Sequence, residues 1–199
     1  MIKILKFSNG SGYNKLTNFL DQRRNSNNTD VDLVNKIIND VKKNKLKALK
    51  KYEKKYSKNK EIKLSKKKIN NSIKYLDQNV KKAIDYAYER IFKFHKLQIK
   101  NFKKIKFVDK YKNKLEYKSI PIDSVGVYVP GNLPSTLLMN CIPAKIVGVR
   151  RIILATPKIN NTLNPAVLYA AKKLGIKEIF SMGGAQAIAS LAFIQKVNK

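Results

Sequence analysis

Apolar residues recur at helical spacing through the first hundred positions of the chain. One stripe runs over residues 31–41, and after a polar interruption at Asn44 and Lys45 a second stripe runs over residues 46–56. A spacing of three and four residues puts such side chains on one face of a helix. The pattern therefore predicts two helices separated by a short break.

Two further helices are indicated by residues that cap helix N-termini. Ser65 precedes a helical stretch that ends at Tyr75, and Asp77 precedes a longer one. Serine and aspartate side chains accept hydrogen bonds from the free backbone N–H groups of a first helical turn. Because these helices have apolar faces, we expect them to pack on one another or on a sheet. The longer helix carries a stripe made of Val80, Ile84, Ala87, Ile91 and Phe94.

The hydrophobic period changes in the second half of the chain. Residues 106–109 and 115–118 flank Lys112 and Asn113, a pattern that predicts a β-hairpin. Three strands then alternate with three helices. The strands are predicted at 125–129, 151–156 and 178–181, and the helices at 135–149, 165–174 and 187–193. This alternation is typical of a parallel sheet with crossover helices.

The predicted fold class is therefore α/β, with an N-terminal helical segment followed by a parallel βαβ domain. The change of pattern near residue 120 is the predicted domain boundary. Residues 1–120 would hold the helices and the hairpin as part of a first domain. Residues 121–199 would form the α/β domain with its ligand-contacting loops.

Candidate ligand contacts follow the strands of this α/β unit. In an open parallel sheet, ligands bind at the carboxyl ends of the strands, beside helix N-termini. Tyr128, the Thr156-Pro157 pair and the turn that leads to Gln186 occupy that position. Tyr128 offers a ring and a hydroxyl, and Gln186 offers both a donor and an acceptor. Each also has an ordinary structural explanation, and the G-x-G-x-x-G fingerprint is missing, so these residues indicate a small-ligand domain without a particular reaction.

The net charge of +30 allows two interpretations. Clustered cations favour a nucleic-acid partner, whereas a drift toward Lys, Asn and Ile is what AT-rich genomes encode. Only five of the 43 basic residues are arginine, and the lysines are spread over every polar face. The arginine guanidinium binds phosphates and bases bidentately more readily than the lysine ammonium does. The composition therefore favours compositional drift over a nucleic-acid function.

Cysteine and histidine are scarce. With Cys141 alone, no internal disulfide is possible, and with His95 alone little remains for a metal cage. His95 is expected to be a packing or surface residue rather than a catalyst. No apolar run has the length of a membrane span, and the N-terminus does not resemble a secretory signal, so we expect a cytoplasmic protein without a membrane partner.

Five ordered motifs closely resemble histidinol dehydrogenase, and a weaker resemblance extends upstream over residues 86–98. Together with that upstream stretch the resemblance covers most of the chain, and the order of the motifs is that of the family. They are SVGVYVPG at 124–131, LPST at 133–136, MNCIPAK at 139–145, NPAVL at 164–168 and GGAQAIA at 183–189.

The resemblance implies an NAD-dependent, zinc-containing enzyme that oxidises L-histidinol to L-histidine through two hydride transfers, in the last steps of histidine biosynthesis. The family fold has two incomplete Rossmann-like domains and forms an intertwined homodimer. The resemblance also implies that Tyr128 and Gln186, which match the tyrosine and the glutamine of the family motifs, contact the cofactor. Both residues also lie in segments at the carboxyl ends of the predicted parallel strands.

Two departures from the family pattern limit what the resemblance implies. The loop after Tyr128 is three residues shorter than the family's P-G-G-x-A-x-x-P-S-T form. The family's zinc ligands (a glutamine, two histidines and an aspartate), its catalytic Glu-His pair and its G-P-G-N motif lie beyond residue 199. No catalytic or metal-ligating residue is therefore assigned in this chain.

Three hypotheses remain open at this point. The chain is a truncated or split histidinol dehydrogenase that is inactive alone and needs a missing C-terminal half. Alternatively, it is a decayed, non-catalytic remnant of that enzyme. The third and least favoured hypothesis is a basic nucleic-acid-binding protein on a reused fold.

Overall fold

A computed structural model describes residues 12–25, 28–99, 105–159 and 161–194. The N-terminal part consists of α1 (Gly12–Asn25), α2 (Asn28–Ser57), α3 (Lys66–Lys74), α4 (Gln78–Ile99) and the strands β1 (Ile105–Val108) and β2 (Lys114–Tyr117). The remainder consists of β3 (Ser124–Tyr128), α5 (Pro134–Ile146), β4 (Arg151–Thr156), α6 (Pro165–Lys173), β5 (Glu178–Ser181) and α7 (Gly184–Phe193).

Strands β3, β4 and β5 form a parallel sheet in that order, which confirms the predicted α/β class. The crossover helices α5 and α6 lie together on one face of the sheet, with α3 and α4 packed against them. The opposite face is covered by α7 and α2, which pack closely on each other. The molecule is thus a sheet between two helical layers, so both faces of the sheet are buried.

Alternating side chains of the strands divide between the two layers. Leu154 and Ile179 contribute to the core on the α5–α6 face. Ile153, Ala155 and Phe180 contribute to the core on the α2–α7 face. This alternation follows from the two-residue period of a strand, and it explains why the strands are apolar throughout rather than at every second position.

The N-terminal part also completes one edge of the sheet. The backbone N–H of Ser181 donates to the carbonyl of Ile62 at 2.6 Å, and that of Leu64 donates to the carbonyl of Ile179 at 3.1 Å. Residues 62–64 therefore run antiparallel along β5. The parts before and after residue 120 share both cores and this edge, and the division into two domains at that point stays a prediction.

The predicted break in the second helix is confirmed as a kink inside α2. Lys45 has φ 48° and ψ −125°, and helical backbone continues on either side. The buried face of α2 differs from the predicted stripe at its start. Val31 and Val34 are exposed, and burial begins at Ile37 and Val41, because none of the described elements covers the first turns of the helix.

The two predicted caps are found, and a third helix is capped by an asparagine. The Ser65 hydroxyl accepts from the N–H of Lys68 at 3.3 Å, and an Asp77 carboxylate oxygen accepts from Asn79 at 2.8 Å and from Val80 at 3.1 Å. The Asn164 side chain caps α6 in the same way. On α4, Ile84 is buried as predicted, whereas the stripe's ends, Val80 and Phe94, are exposed.

The predicted hairpin is confirmed as the antiparallel pair β1–β2. All eight of its strand residues are exposed. Helix α1 was not predicted, although Tyr13, Leu16 and Leu20 recur at helical spacing along it and are exposed. None of the helices in the described ranges combines the length and the hydropathy that a membrane crossing requires.

Candidate functional site

The ends of the three parallel strands meet at one edge of the sheet, as predicted for a ligand site. Tyr128 closes β3 beside Ala155, and Thr156 closes β4 beside Ser181. The backbone continues this pairing for one more residue, since the N–H of Met182 donates to the Thr156 carbonyl at 3.2 Å. The loops that follow these strands are therefore neighbours in space.

Tyr128 reaches from the end of β3 toward the turn between β5 and α7. Its side chain is half-buried and packs against the core on the α2–α7 face. Its hydroxyl lies 3.8 Å from the position that a Cβ on Gly183 would take. No described residue forms a hydrogen bond with this hydroxyl, which leaves it available to a ligand at the strand ends.

Gln186 lies in the first turn of α7 and is only 3% exposed. Its Nε2 donates to Glu53 Oε1 at 2.9 Å. The same carboxylate oxygen accepts from the backbone N–H of Gly183 at 3.0 Å. The glutamine is therefore held against a buried carboxylate of α2, a contact that sequence analysis did not predict.

Glu53 is itself 1% exposed, which is rare for a carboxylate. Its second oxygen, Oε2, and the Thr156 hydroxyl are both buried, and neither has a hydrogen-bond partner among the described residues. A signal for Glu53 exists in the sequence, because it follows Leu49 by four positions and so falls on the apolar stripe of its helix. A single charged residue on such a stripe indicates a buried polar contact.

Asn59 and Lys158 complete the polar groups at this edge. The Asn59 amide donates to the Ser181 carbonyl at 2.6 Å, and its oxygen accepts from Lys158 Nζ at 3.0 Å. Lys158 follows β4 and is half-buried, so it brings a positive charge to the strand ends. Neither residue was selected from the sequence, because Asn59 lies 99 positions before its lysine partner.

The glycines of the loops serve contacts within the protein. A Cβ on Gly131 would meet the Pro157 carbonyl oxygen at 2.6 Å, and one on Gly183 would meet Pro157 Cβ at 2.9 Å. Gly184 has φ +65°, a conformation that favours glycine. The close approach at Gly131 and Gly183 thus joins the three loops to each other, and of these three glycines Gly184 has a positive φ.

A cavity of about 190 Å³ lies at the opposite ends of the strands. Its lining includes Arg151 and Glu178, which form a bidentate ion pair with two N–O distances of 2.7 Å. Arg151 lowers the pKa of the Glu178 carboxyl below its usual value. Because these charges already satisfy each other, the cavity is a weaker candidate than the strand ends.

Metal-binding groups are not assembled in the part of the chain that the structure describes. It contains no cluster of three or more His, Cys, Asp or Glu side chains that could hold a metal ion. Cys141 is buried in α5, and burial raises the pKa of its thiol to about 12. His95 lies on α4, with Nδ1 2.6 Å from Gln98 Oε1. These residues do not fit a zinc site.

Comparisons with known proteins agree with the motifs at this edge. The family model described as histidinol dehydrogenase matches residues 20–199. A histidinol dehydrogenase of Pelagibacter ubique is 52% identical over 206 aligned residues, which cover 100% of this chain and 48% of that protein. One from Caldanaerobacter subterraneus subsp. tengcongensis is 38% identical, over 83% of this chain and 40% of the relative.

A solved structure agrees with these relatives. The crystal structure of histidinol dehydrogenase from Elizabethkingia anophelis superposes with a TM-score of 0.76 and 34% sequence identity, covering 84% of this chain and 40% of that one. The chain thus spans about half the length of the curated relatives that it matches. The chain belongs to the histidinol dehydrogenase family, as the family model, the relatives and the shared fold all show.

Proposed function

We propose that this chain supplies the NAD-contacting part of an enzyme that oxidises L-histidinol to L-histidine. The observation that carries the proposal is the meeting of Tyr128 and the turn before Gln186 at one edge of the sheet, with the tyrosine hydroxyl 3.8 Å from the Cβ position of Gly183. These are the two residues that the family motifs assign to the cofactor. Tyr128 and Gln186 lie 58 positions apart in sequence, and the parallel strands bring Tyr128 beside the turn that leads to Gln186.

The groups at this edge suit a dinucleotide. The Tyr128 ring can stack on a planar base or ring, and its hydroxyl can donate or accept a hydrogen bond. The N-terminus of α7, ten residues long, offers backbone N–H groups and a partial positive charge. Lys158 adds a cation, which favours the two phosphates of NAD. When bound, NAD would accept the hydride that leaves the substrate carbon.

Zinc is assigned to no residue of this chain, and no step of the reaction is derived through it. The resemblance gives its ligands and the acid–base pair to sequence that follows the G-P-G-N motif of the family. The oxidation of histidinol and the homodimer are therefore proposed for the protein to which this stretch contributes. We assign the chain itself the cofactor side.

The competing hypothesis of a decayed remnant has a direct test. A reading frame immediately downstream that encodes G-P-G-N and the zinc-ligand pattern supports a split or longer enzyme. Unrelated sequence at that place would support the remnant instead.

The cofactor assignment predicts that Gln186→Ala and Tyr128→Phe each weaken NAD binding. We expect a loss of about five- to thirtyfold for Gln186→Ala, the equivalent of about 1–2 kcal/mol for a lost hydrogen bond. Tyr128→Phe removes only a hydroxyl and should lose less. Isothermal titration calorimetry of the purified chain with NAD measures both.

Gln98→Ala is the matched control, because this exposed glutamine lies on α4 in the opposite helical layer. It should leave NAD affinity unchanged. Circular dichroism of each variant separates lost affinity from lost folding. Wild-type affinity in both folded site variants would rule out the assignment of these residues to the cofactor.

A further inference from the structure

Glu53 reaches from α2 into the turn that joins β5 to α7. The carboxylate is buried, and its Oε1 accepts two hydrogen bonds, from the Gly183 backbone at 3.0 Å and from Gln186 Nε2 at 2.9 Å. The other oxygen, Oε2, is buried without a hydrogen-bond partner among the described residues. All hydrogen bonds found for this carboxylate therefore go to the turn and to the candidate cofactor residue.

This contact determines which end of the Gln186 amide is free. A backbone N–H can only donate, so the oxygen that it contacts acts as an acceptor. An ionised carboxylate oxygen can only accept, so its partner on Gln186 is the amide Nε2, and the amide oxygen points away from Glu53. That oxygen lies 2.9 Å from the Cβ position of Gly184, a residue that is exposed and has φ +65°.

Glycine at residue 184 leaves this space open. A side chain at residue 184 would collide with the amide oxygen, and its backbone would be strained. The NH₂ group of Gln186 is therefore held toward the buried Glu53, and the amide oxygen of Gln186 lies beside the exposed Gly184. A ligand that lies over Gly184 would meet an acceptor rather than a donor.

We propose that Glu53 is a positioning residue for the cofactor, an inference that rests on the assignment of Gln186 to NAD. Glu53 fixes the Gln186 amide so that its oxygen faces the ligand. The cofactor then contacts it with a hydrogen-bond donor, such as a ribose hydroxyl or the carboxamide NH₂ of the nicotinamide. Glu53 does not touch the cofactor and acts through Gln186.

Three variants of Glu53 separate this role from its charge and its volume. Glu53→Gln keeps an acceptor oxygen toward Gly183 and Gln186, so NAD affinity should stay within about threefold of wild type. Glu53→Leu keeps the volume without an acceptor and should weaken NAD binding by about tenfold or more. Glu53→Asp keeps the charge on a side chain one methylene shorter and should fall between them, and it replaces the leucine variant if that one does not fold.

A double-mutant cycle tests whether Glu53 acts through Gln186. In a Gln186→Ala background, Glu53→Leu should weaken NAD binding no further, because the amide that it orients is gone. A purely structural role would instead weaken binding equally in both backgrounds. Additive losses in calorimetric titrations with NAD would therefore overturn the proposal.

A second measurement needs no cofactor. The Gln186 side-chain NH₂ resonances can be identified by NMR from their loss in Gln186→Ala. We expect slow exchange with solvent in the wild type and in Glu53→Gln, and faster exchange in Glu53→Leu. Equal exchange in all three would overturn the proposed orientation. If the wild-type chain binds no NAD, the proposed function fails, and the exchange rates still decide whether Glu53 orients the amide.

Discussion

Pro157 is the residue on which the loops at the strand ends converge. Gly131 approaches its carbonyl oxygen and Gly183 approaches its ring, both too closely for an additional Cβ. Tyr128 lies beside the same contact, with its hydroxyl near Gly183. A substitution that adds even one methyl group at Gly131 or Gly183 should therefore alter the candidate cofactor site and lower the stability of the fold.

Gly183→Ala is predicted to destabilise the protein by about 1–3 kcal/mol, the usual cost of overpacking. The added methyl would stand 2.9 Å from Pro157 Cβ, while φ −138° is ordinary for alanine, so the cost comes from the contact alone. Urea unfolding followed by circular dichroism measures it. Ala192→Ser, at an exposed position of α7, is the control and should change stability by less than about 0.5 kcal/mol. A neutral Gly183→Ala would contradict the tight contact.

At the scale of single elements, α2 shows how a kink is held together. Asp40 lies before the kink, and its carboxylate accepts from Asn44 at 2.7 Å and, across the kink, from Lys51 and Tyr52, both at 2.9 Å. These side-chain hydrogen bonds span the kink and stabilise the unfavourable backbone conformation of Lys45. The second half of α2 then carries Glu53 to the strand ends.

These hydrogen bonds, the one from Asn44 first, lower the pKa of the Asp40 carboxyl from 3.8 to about 2. A carboxyl with a lowered pKa in the folded state stabilises the protein when it is ionised, so this contribution is complete above the unfolded pKa. It is lost as the pH falls through the window between about 4 and about 2. We therefore predict that part of the acid sensitivity of folding comes from Asp40.

Asp40→Asn removes this titration. Urea midpoints measured at about pH 5 and at about pH 2.5 should differ less in the variant than in the wild type. Asp123→Asn is the control, because that exposed carboxylate pairs with Arg150 at the surface. Identical pH dependence in the wild type and in Asp40→Asn would contradict the role of the bridge.

On the scale of the whole molecule, the net charge of +30 is not concentrated on one element. Lysines lie in the hairpin (Lys106 and Lys110), in the last turn of α2 (Lys54 and Lys55) and in the last turn of α6 (Lys172 and Lys173). Binding by dispersed charge depends on counterion release and has no base readout. The charge alone therefore favours weak, nonspecific contact with nucleic acids.

Binding to duplex DNA is predicted to be measurable at low salt and to disappear near physiological salt, about 0.15 M. Two duplexes of equal length and different sequence should titrate alike in fluorescence anisotropy. If binding persists at this salt concentration and depends on the DNA sequence, the result would support the nucleic-acid hypothesis.

Much of the fold follows from local sequence. Capping by Ser65, Asp77 and Asn164 and the break near Lys45 depend on residues within a few positions of one another, so the sequence alone determines them. The parallel α/β unit follows in the same way from its alternating pattern. The same pattern predicts that Tyr128 and the turn before Gln186 lie at one edge of the sheet, because the carboxyl ends of parallel strands share that edge.

Only the tertiary structure decides what surrounds these two residues. Glu53 lies 133 positions before Gln186, and Asn59 lies 122 positions before Ser181. The helical periodicity indicates that Glu53 is a charged residue on an apolar face, but it does not predict that Gln186 is its partner. Burial of Val31, Val34, Val80 and Phe94 was predicted from spacing and is not found, because whether a helix face is covered depends on the packing of other elements. Local hydrogen bonds are encoded locally, whereas contacts between layers exist only once the chain has folded.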